Sequence, residues 1–233
     1  MKPLKTIYIK YFTVFIALMV TCYSCKKDFD LSTIQTGTVT DFDGNVYPTV
    51  ILGKQEWMAE NLKTSKFSNG VEIKYLEVKT LWNEALIPAN CFYDSDSVTN
   101  NVKYGRLYNW NAISNEKNVC PTNWHVPTQK EWETLFETIG GEEIAGAKLK
   151  SQNLTTWLDT SFATNEVLFN AEPSGMRDVN DGFVNTRYFA YYWTATEKDN
   201  SKSSVINLTY SSKGAGLFDG IKTNGYSVRC VKD

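Results

Sequence analysis

The sequence predicts an α+β fold, on three observations. Strand-like segments precede the middle of the chain, one amphipathic helix sits near its centre, and strands with long loops fill the last third. The 233 residues are 42% hydrophobic and 14% aromatic, enough for one sizeable core or two small ones. Twenty-four basic against 26 acidic residues leave a net charge of -2. Lys and Arg are scattered without a dense run, so no nucleic-acid partner is expected.

The chain begins with an apolar leader. Lys2, Lys5 and Lys10 form a positive region, and "YFTVFIALMV" is apolar but too short for an ordinary membrane span. "TCYSC" and the polar "KKDFD" follow. This predicts a lipoprotein signal peptide over residues 1–24, with Cys25 lipidated and the protein anchored to a membrane of the cell envelope. Cys22 stands where the strict signal prefers leucine. Ordinary secretion is the competing reading. Residues 25–36 read as a polar tether and 37–233 as one domain, since no repeat and no Gly/Pro linker divides them.

Asp43-Gly44-Asn45 marks a hairpin, because glycine supplies the positive φ of the turn. Asp41, Asp43 and Asn45 also suggest a calcium loop. An EF-hand is excluded, since its sixth position needs glycine and its twelfth an acid, whereas here Gly44 is fourth and Leu52 twelfth. A metal site of another kind is left open. "EWMAENLKTSKFSNG" predicts a short helical turn and then a loop, with "ENLKTSK" on the surface. Residues 71–101 are poorly periodic and carry the polar "DSDSVTNN". In "YGRLYNWNAI" the aromatics Tyr104, Tyr108 and Trp110 are expected in a core.

"NWHVP" predicts a strand ending at Pro127. Thr128 and Glu131 then form a capping box, each side chain satisfying an orphan N–H of the helix start. Trp132, Leu135, Phe136 and Ile139 make one apolar stripe, and Gly140-Gly141 ends the helix. "EEIAGAKLKS" predicts a second, shorter helix. "RYFAYYWTATE", "SSVINLTYSS", "AGLFDG" and "GYSVRCVKD" read as strands.

These motifs occur in a telling order: "TDFDGNVYPTVILGKQEWMAENLK", "YGRLYNWNAI", "VCPTNWHVPTQKEWETL", "AEPSGMR", "YYWTATE" and "GYSVRCVKD". Together they resemble the Fibrobacter succinogenes major paralogous domain family over residues 36–233, with Met176 a small departure in "PSGMR". The second half is more distantly similar to the C-type-lectin-like fold of formylglycine-generating enzymes. The resemblance implies a C-type-lectin-like domain: antiparallel strands, one main helix, paired terminal strands and long loops. It implies little chemistry, and fold likeness alone does not establish sugar binding.

The same fold would place the segments of Cys120 and Cys230 side by side, which implies a disulfide between them. Cys91–Cys120 is the competing pair, and one of the three cysteines is left over. Formylglycine-generating chemistry needs two close cysteines late in the fold, and only Cys230 follows Cys120. No CxxC pair or Cys/His cluster lies outside the leader, so a structural zinc site is not expected. His125, the single histidine, is expected to be a structural strand residue, with Trp124 and Val126 on the opposite face.

No catalytic set and no cofactor is therefore expected. If "RYFAYYW" is a strand, one face should be core; the other is either also buried or displays aromatics. Tyr188, Tyr191 and Trp193 are the candidate binding residues on the second alternative. The expected function is a membrane-anchored lipoprotein with a non-enzymatic domain binding a glycan or an envelope protein. The alternatives are a hydrolase or modifying enzyme with a cleft of perturbed carboxylates, and a structural part of an envelope assembly.

Overall fold

The computed structural model describes residues 34–180 and 182–233. The predicted signal peptide, Cys25 and most of the tether lie outside the described residues. The first strands are β1 (Thr36–Thr40), β2 (Val46–Leu52) and β3 (Gln55–Met58). An irregular region follows, with β4 (Lys74–Tyr75), α1 (Lys79–Asn83), β5 (Ala89–Cys91), α2 (Asn100–Tyr104), β6 (Leu107–Tyr108) and α3 (Trp110–Ile113). The middle holds β7 (Trp124–His125), α4 (Gln129–Thr138) and α5 (Glu142–Leu149). The last part has β8 (Met176–Asp178), β9 (Gly182–Val184), β10 (Phe189–Glu197), β11 (Lys202–Thr209), β12 (Ala215–Ile221) and β13 (Val231–Lys232). Strands dominate and the helices are short, an α+β arrangement.

Helix α4 forms as its sequence requires. The Glu131 N–H donates to the Thr128 hydroxyl, and the Thr128 N–H donates to Glu131 Oε2 at 2.7 Å. Trp132, Leu135, Phe136 and Ile139 are all buried. At the other end the Gly141 N–H returns to the Phe136 carbonyl at 2.7 Å, with Gly140 and Gly141 both at positive φ. The apolar stripe faces Trp57, Phe169 and Tyr192, with the Trp132 ring stacked 5.4 Å from that of Tyr192.

The main sheet runs β1-β2-β3-β13-β7. β13 is therefore central, antiparallel both to β3 through Val231 and Trp57 and to β7 through Val231 and His125. β1 begins at Thr36, and Ile34 packs against the core. A second sheet, β10-β11-β12, separates two cores. Ala190, Tyr192, Ile206 and Leu208 join the helices on one side. Tyr191, Trp193 and Val205 join Tyr108, Trp124 and Tyr226 on the other. Alternation along β10 thus buries both of its faces.

Three local expectations are corrected. Glu56 to Met58 belong to strand β3 rather than a helical turn, because Trp57 and Met58 each find a core on opposite faces. "ENLKTSK" is not a surface run: Asn61, Leu62 and Thr64 are buried. "GYSVRCVKD" is regular strand only at Val231–Lys232. Before that, Gly225, Tyr226 and Ser227 make single bridges to Arg177, Tyr108 and Tyr192.

The aperiodic region builds a small sheet, β4-β5-β6, over a core of Leu76, Trp82, Ala89, Cys91 and Leu107. A buried arginine fastens it to the rest. Arg177, on β8, donates to the carbonyls of Leu76 and Glu77, both at 2.7 Å, and its guanidinium lies 4.6 Å from the Trp82 ring.

Candidate binding cleft

The small sheet shapes an open cleft of about 600 Å³. Its register explains the wall. β5 and β6 are antiparallel with Cys91 opposite Leu107, so the next residues outward, Phe92 and Arg106, also face each other. The Arg106 guanidinium sits 4.2 Å from the Phe92 ring centroid, a cation–π contact. Tyr75, from β4, lies 5.6 Å from the same ring and is partly exposed. Ser65, Glu72 and Lys74 also line the cleft.

Arg106 is held in plane by two neutral acceptors. Its Nε donates to the Lys63 carbonyl at 2.7 Å and its Nη1 to Asn90 Oδ1 at 2.6 Å. Gly105, just before it, has φ 69°, and a Cβ there would come within 2.7 Å of the Leu62 carbonyl oxygen. Glycine therefore lets the chain cross segment 61–63 closely enough to deliver Arg106. Burial raises the Tyr75 hydroxyl pKa, and the nearby Glu77 carboxylate adds to the rise. Chemically the cleft offers an aromatic face, a fixed guanidinium and hydroxyls.

A second depression, of about 360 Å³, is lined by Glu60, Asn61, Lys103, Asn170, Glu172 and Arg229. Arg229 is fully buried and makes hydrogen bonds to Asn61 Oδ1 and the carbonyls of Met58, Phe169 and Asn170. Burial raises the Glu172 pKa, although the Thr156 hydroxyl donates to its carboxylate and opposes the rise. Glu60 is paired with Lys63 at 2.6 Å.

The residues singled out from the sequence fall elsewhere. Cys120 and Cys230 form a disulfide, with Cα atoms 5.9 Å apart, next to the β7–β13 pair. Cys91 is the buried free thiol, and burial pushes its pKa up to about 11. Tyr188, Tyr191 and Trp193 do not share an exposed face, which corrects the aromatic-display alternative. Trp193 is fully buried and donates its indole N–H to the Tyr108 carbonyl at 2.7 Å. Tyr191 is buried against Phe189, and only Tyr188 is exposed, edge-on to Tyr210. The physical reason is the double burial of β10.

His125 stands between two carboxylates, Nδ1 2.6 Å from Asp233 Oδ1 and Nε2 2.7 Å from Glu131 Oε1. Burial alone would lower its pKa, but the two carboxylates outweigh that and raise it. With both ring nitrogens occupied, it clamps the start of α4 to the β13 end of the sheet. The Asp41 carboxylate closes its own turn, accepting from the N–H groups of Asp43 and Asn45 and from the Tyr47 hydroxyl. Among the described residues no group of three or more His, Cys, Asp or Glu side chains is arranged to hold a metal ion.

Sequence reasoning missed Tyr75, Phe92, Arg106, Glu172 and the two buried arginines. The usable signal was Gly105-Arg106 inside "YGRLYNW", where the aromatics drew attention instead. Among the described residues no helix is long and apolar enough to cross a membrane. No curated protein and no solved structure matches the chain. The Fibrobacter succinogenes major domain family matches residues 50–232, most of the chain and all of its strands from β3 onward, so the protein belongs to that family.

Proposed function

We propose that this protein is an envelope lipoprotein, held to the outer membrane by lipid on Cys25, whose domain binds a glycan or a protein ligand without chemistry. The observation that carries the binding reading is the Phe92–Arg106 pair in an open cleft beside the exposed Tyr75. The cleft supplies recognition groups, and the chain's one histidine is engaged elsewhere by Asp233 and Glu131. A C-type-lectin-like domain is consistent with the central β13 and the single capped main helix.

The test uses the full chain solubilised in detergent, applied to a glycan array and, in parallel, cross-linked in intact envelopes. Saturable binding that Arg106→Gln and Tyr75→Ser both weaken is expected. Undiminished binding in both variants would exclude the cleft. Cys25→Ser is expected to release the protein from membranes and to abolish fatty-acid labelling.

A hydrolase is the second reading, favoured by Glu172, whose raised pKa suits a general acid, in a depression that also holds Glu60. Turnover of a glycoside panel that Glu172→Gln abolishes would favour it over pure binding.

A further inference from the structure

We infer that the cleft takes an acidic saccharide, with the carboxylate of a uronate ring on Arg106 and the ring itself against Tyr75. This rests on the glycan-binding reading and narrows it. A guanidinium carries five N–H donors in a rigid fork. In Arg106 the protein engages the Nε donor and one on Nη1, and among the described residues no acceptor engages Nη2. Both acceptors are neutral, and among the described residues no carboxylate lies within ion-pair distance of Arg106. A fixed positive charge is thus left uncompensated in a protein whose net charge is -2.

The Phe92 ring and the two hydrogen bonds together hold the fork in place. A planar carboxylate matches that geometry with two parallel hydrogen bonds. Lys74 adds a second positive charge to the lining and Glu72 a single negative one, so the lining stays net positive. The partly exposed Tyr75 ring offers an apolar face, the Ser97 hydroxyl offers a partner for sugar hydroxyls, and Ser65, whose own O–H is given to Asp43, offers an acceptor. A neutral sugar would use the ring and the hydroxyls but leave the charge of Arg106 without a counterpart.

Titration calorimetry on the full chain in detergent tests this with a galacturonate trisaccharide, its neutral galactose counterpart and a sulfated galactose trisaccharide. The uronate should bind roughly tenfold or more tightly than the neutral sugar, the size of one charge-assisted contact. Raising the salt from about 50 to about 500 mM should weaken it, since the contact is open to solvent. Arg106→Gln should lose roughly ten- to a hundredfold in affinity. Should Arg106→Gln fail to fold, Lys74→Gln and Tyr75→Ser, both at exposed positions, serve in its place, each expected to weaken the uronate.

Equal affinity for neutral and acidic sugars overturns the inference but leaves glycan binding intact. Preference for the sulfated sugar overturns it too. No binding of any of the three sinks both this inference and the glycan reading.

Discussion

The Nε–H of Arg229 donates to Asn61 Oδ1 across 2.7 Å, and both side chains are buried. Asn61 in turn donates to the Tyr104 carbonyl at 2.9 Å, so one amide joins the last strand region to the segment that delivers Arg106. Asn61→Ala should therefore cost about 1–3 kcal/mol, the penalty for stranding the buried Nε–H of Arg229 and the Tyr104 carbonyl. Arg229→Met should cost more, because four acceptors lose their partner. Urea unfolding of both variants measures this, and a wild-type midpoint for Asn61→Ala would refute it.

Breaking the Cys120–Cys230 disulfide removes a cross-link spanning 110 residues. Loss of about 2–4 kcal/mol is expected on reduction or in Cys120→Ser. Cys91, buried and with its pKa pushed up, should resist alkylation in the native protein and react fully only in denaturant. Mass spectrometry after a timed alkylation reads both states.

The His125 clamp predicts a pH window. The raised His125 pKa stabilises the fold fully below its ordinary value of 6.5, and that contribution disappears as pH rises through the raised value. The lowered Glu131 pKa stabilises above its ordinary value of 4.5 and is lost as pH falls through the lowered value. Burial opposes that lowering, and the Thr128 N–H and hydroxyl and His125 together overcome it. The clamp should be strongest between about 4.5 and 6.5, and modest because His125 is partly solvated. In melting curves across pH, the deficit of His125→Gln against wild type should be largest inside that window and shrink as pH rises above it; a deficit independent of pH would contradict the assignment.

Thr128→Ala removes half of the capping box and should cost about 0.5–2 kcal/mol. Circular dichroism during thermal unfolding checks it, with Thr128→Ser expected to stay close to wild type.

Trp193→Ala should cost about 3–5 kcal/mol, as a large cavity opens in the core it shares with Tyr108, Trp124 and Tyr226. Tyr188→Ala, at an exposed ring, should leave ligand affinity unchanged. A specific loss of affinity in Tyr188→Ala would return attention to β10.

Helix α4 was legible because its signals are local: a cap, a stripe at i, i+3, i+4 and i+7, and a glycine stop. The pairing of the Cys120 and Cys230 segments is what the resembled fold implies, and the disulfide agrees with it. β3 was misread because four residues with Trp57 and Met58 on opposite faces carry no period that separates strand from helix. The cleft was not legible because its wall depends on register. Phe92 and Arg106 meet only once β5 lies against β6, and neither segment is long enough to announce itself. The burial of Arg229 and Arg177 carries no sequence signal, because most of their partners are backbone carbonyls, which every sequence contains.

The central position of β13 fixes the order of events during synthesis. β3 waits for a neighbour that the ribosome makes only when it reaches Val231 and Lys232, and Cys120 waits as long for Cys230. The β3 and β7 sides of the main sheet therefore join only after Val231 and Lys232 have been made, while the β1-β2-β3 and β10-β11-β12 pairings need nothing from β13.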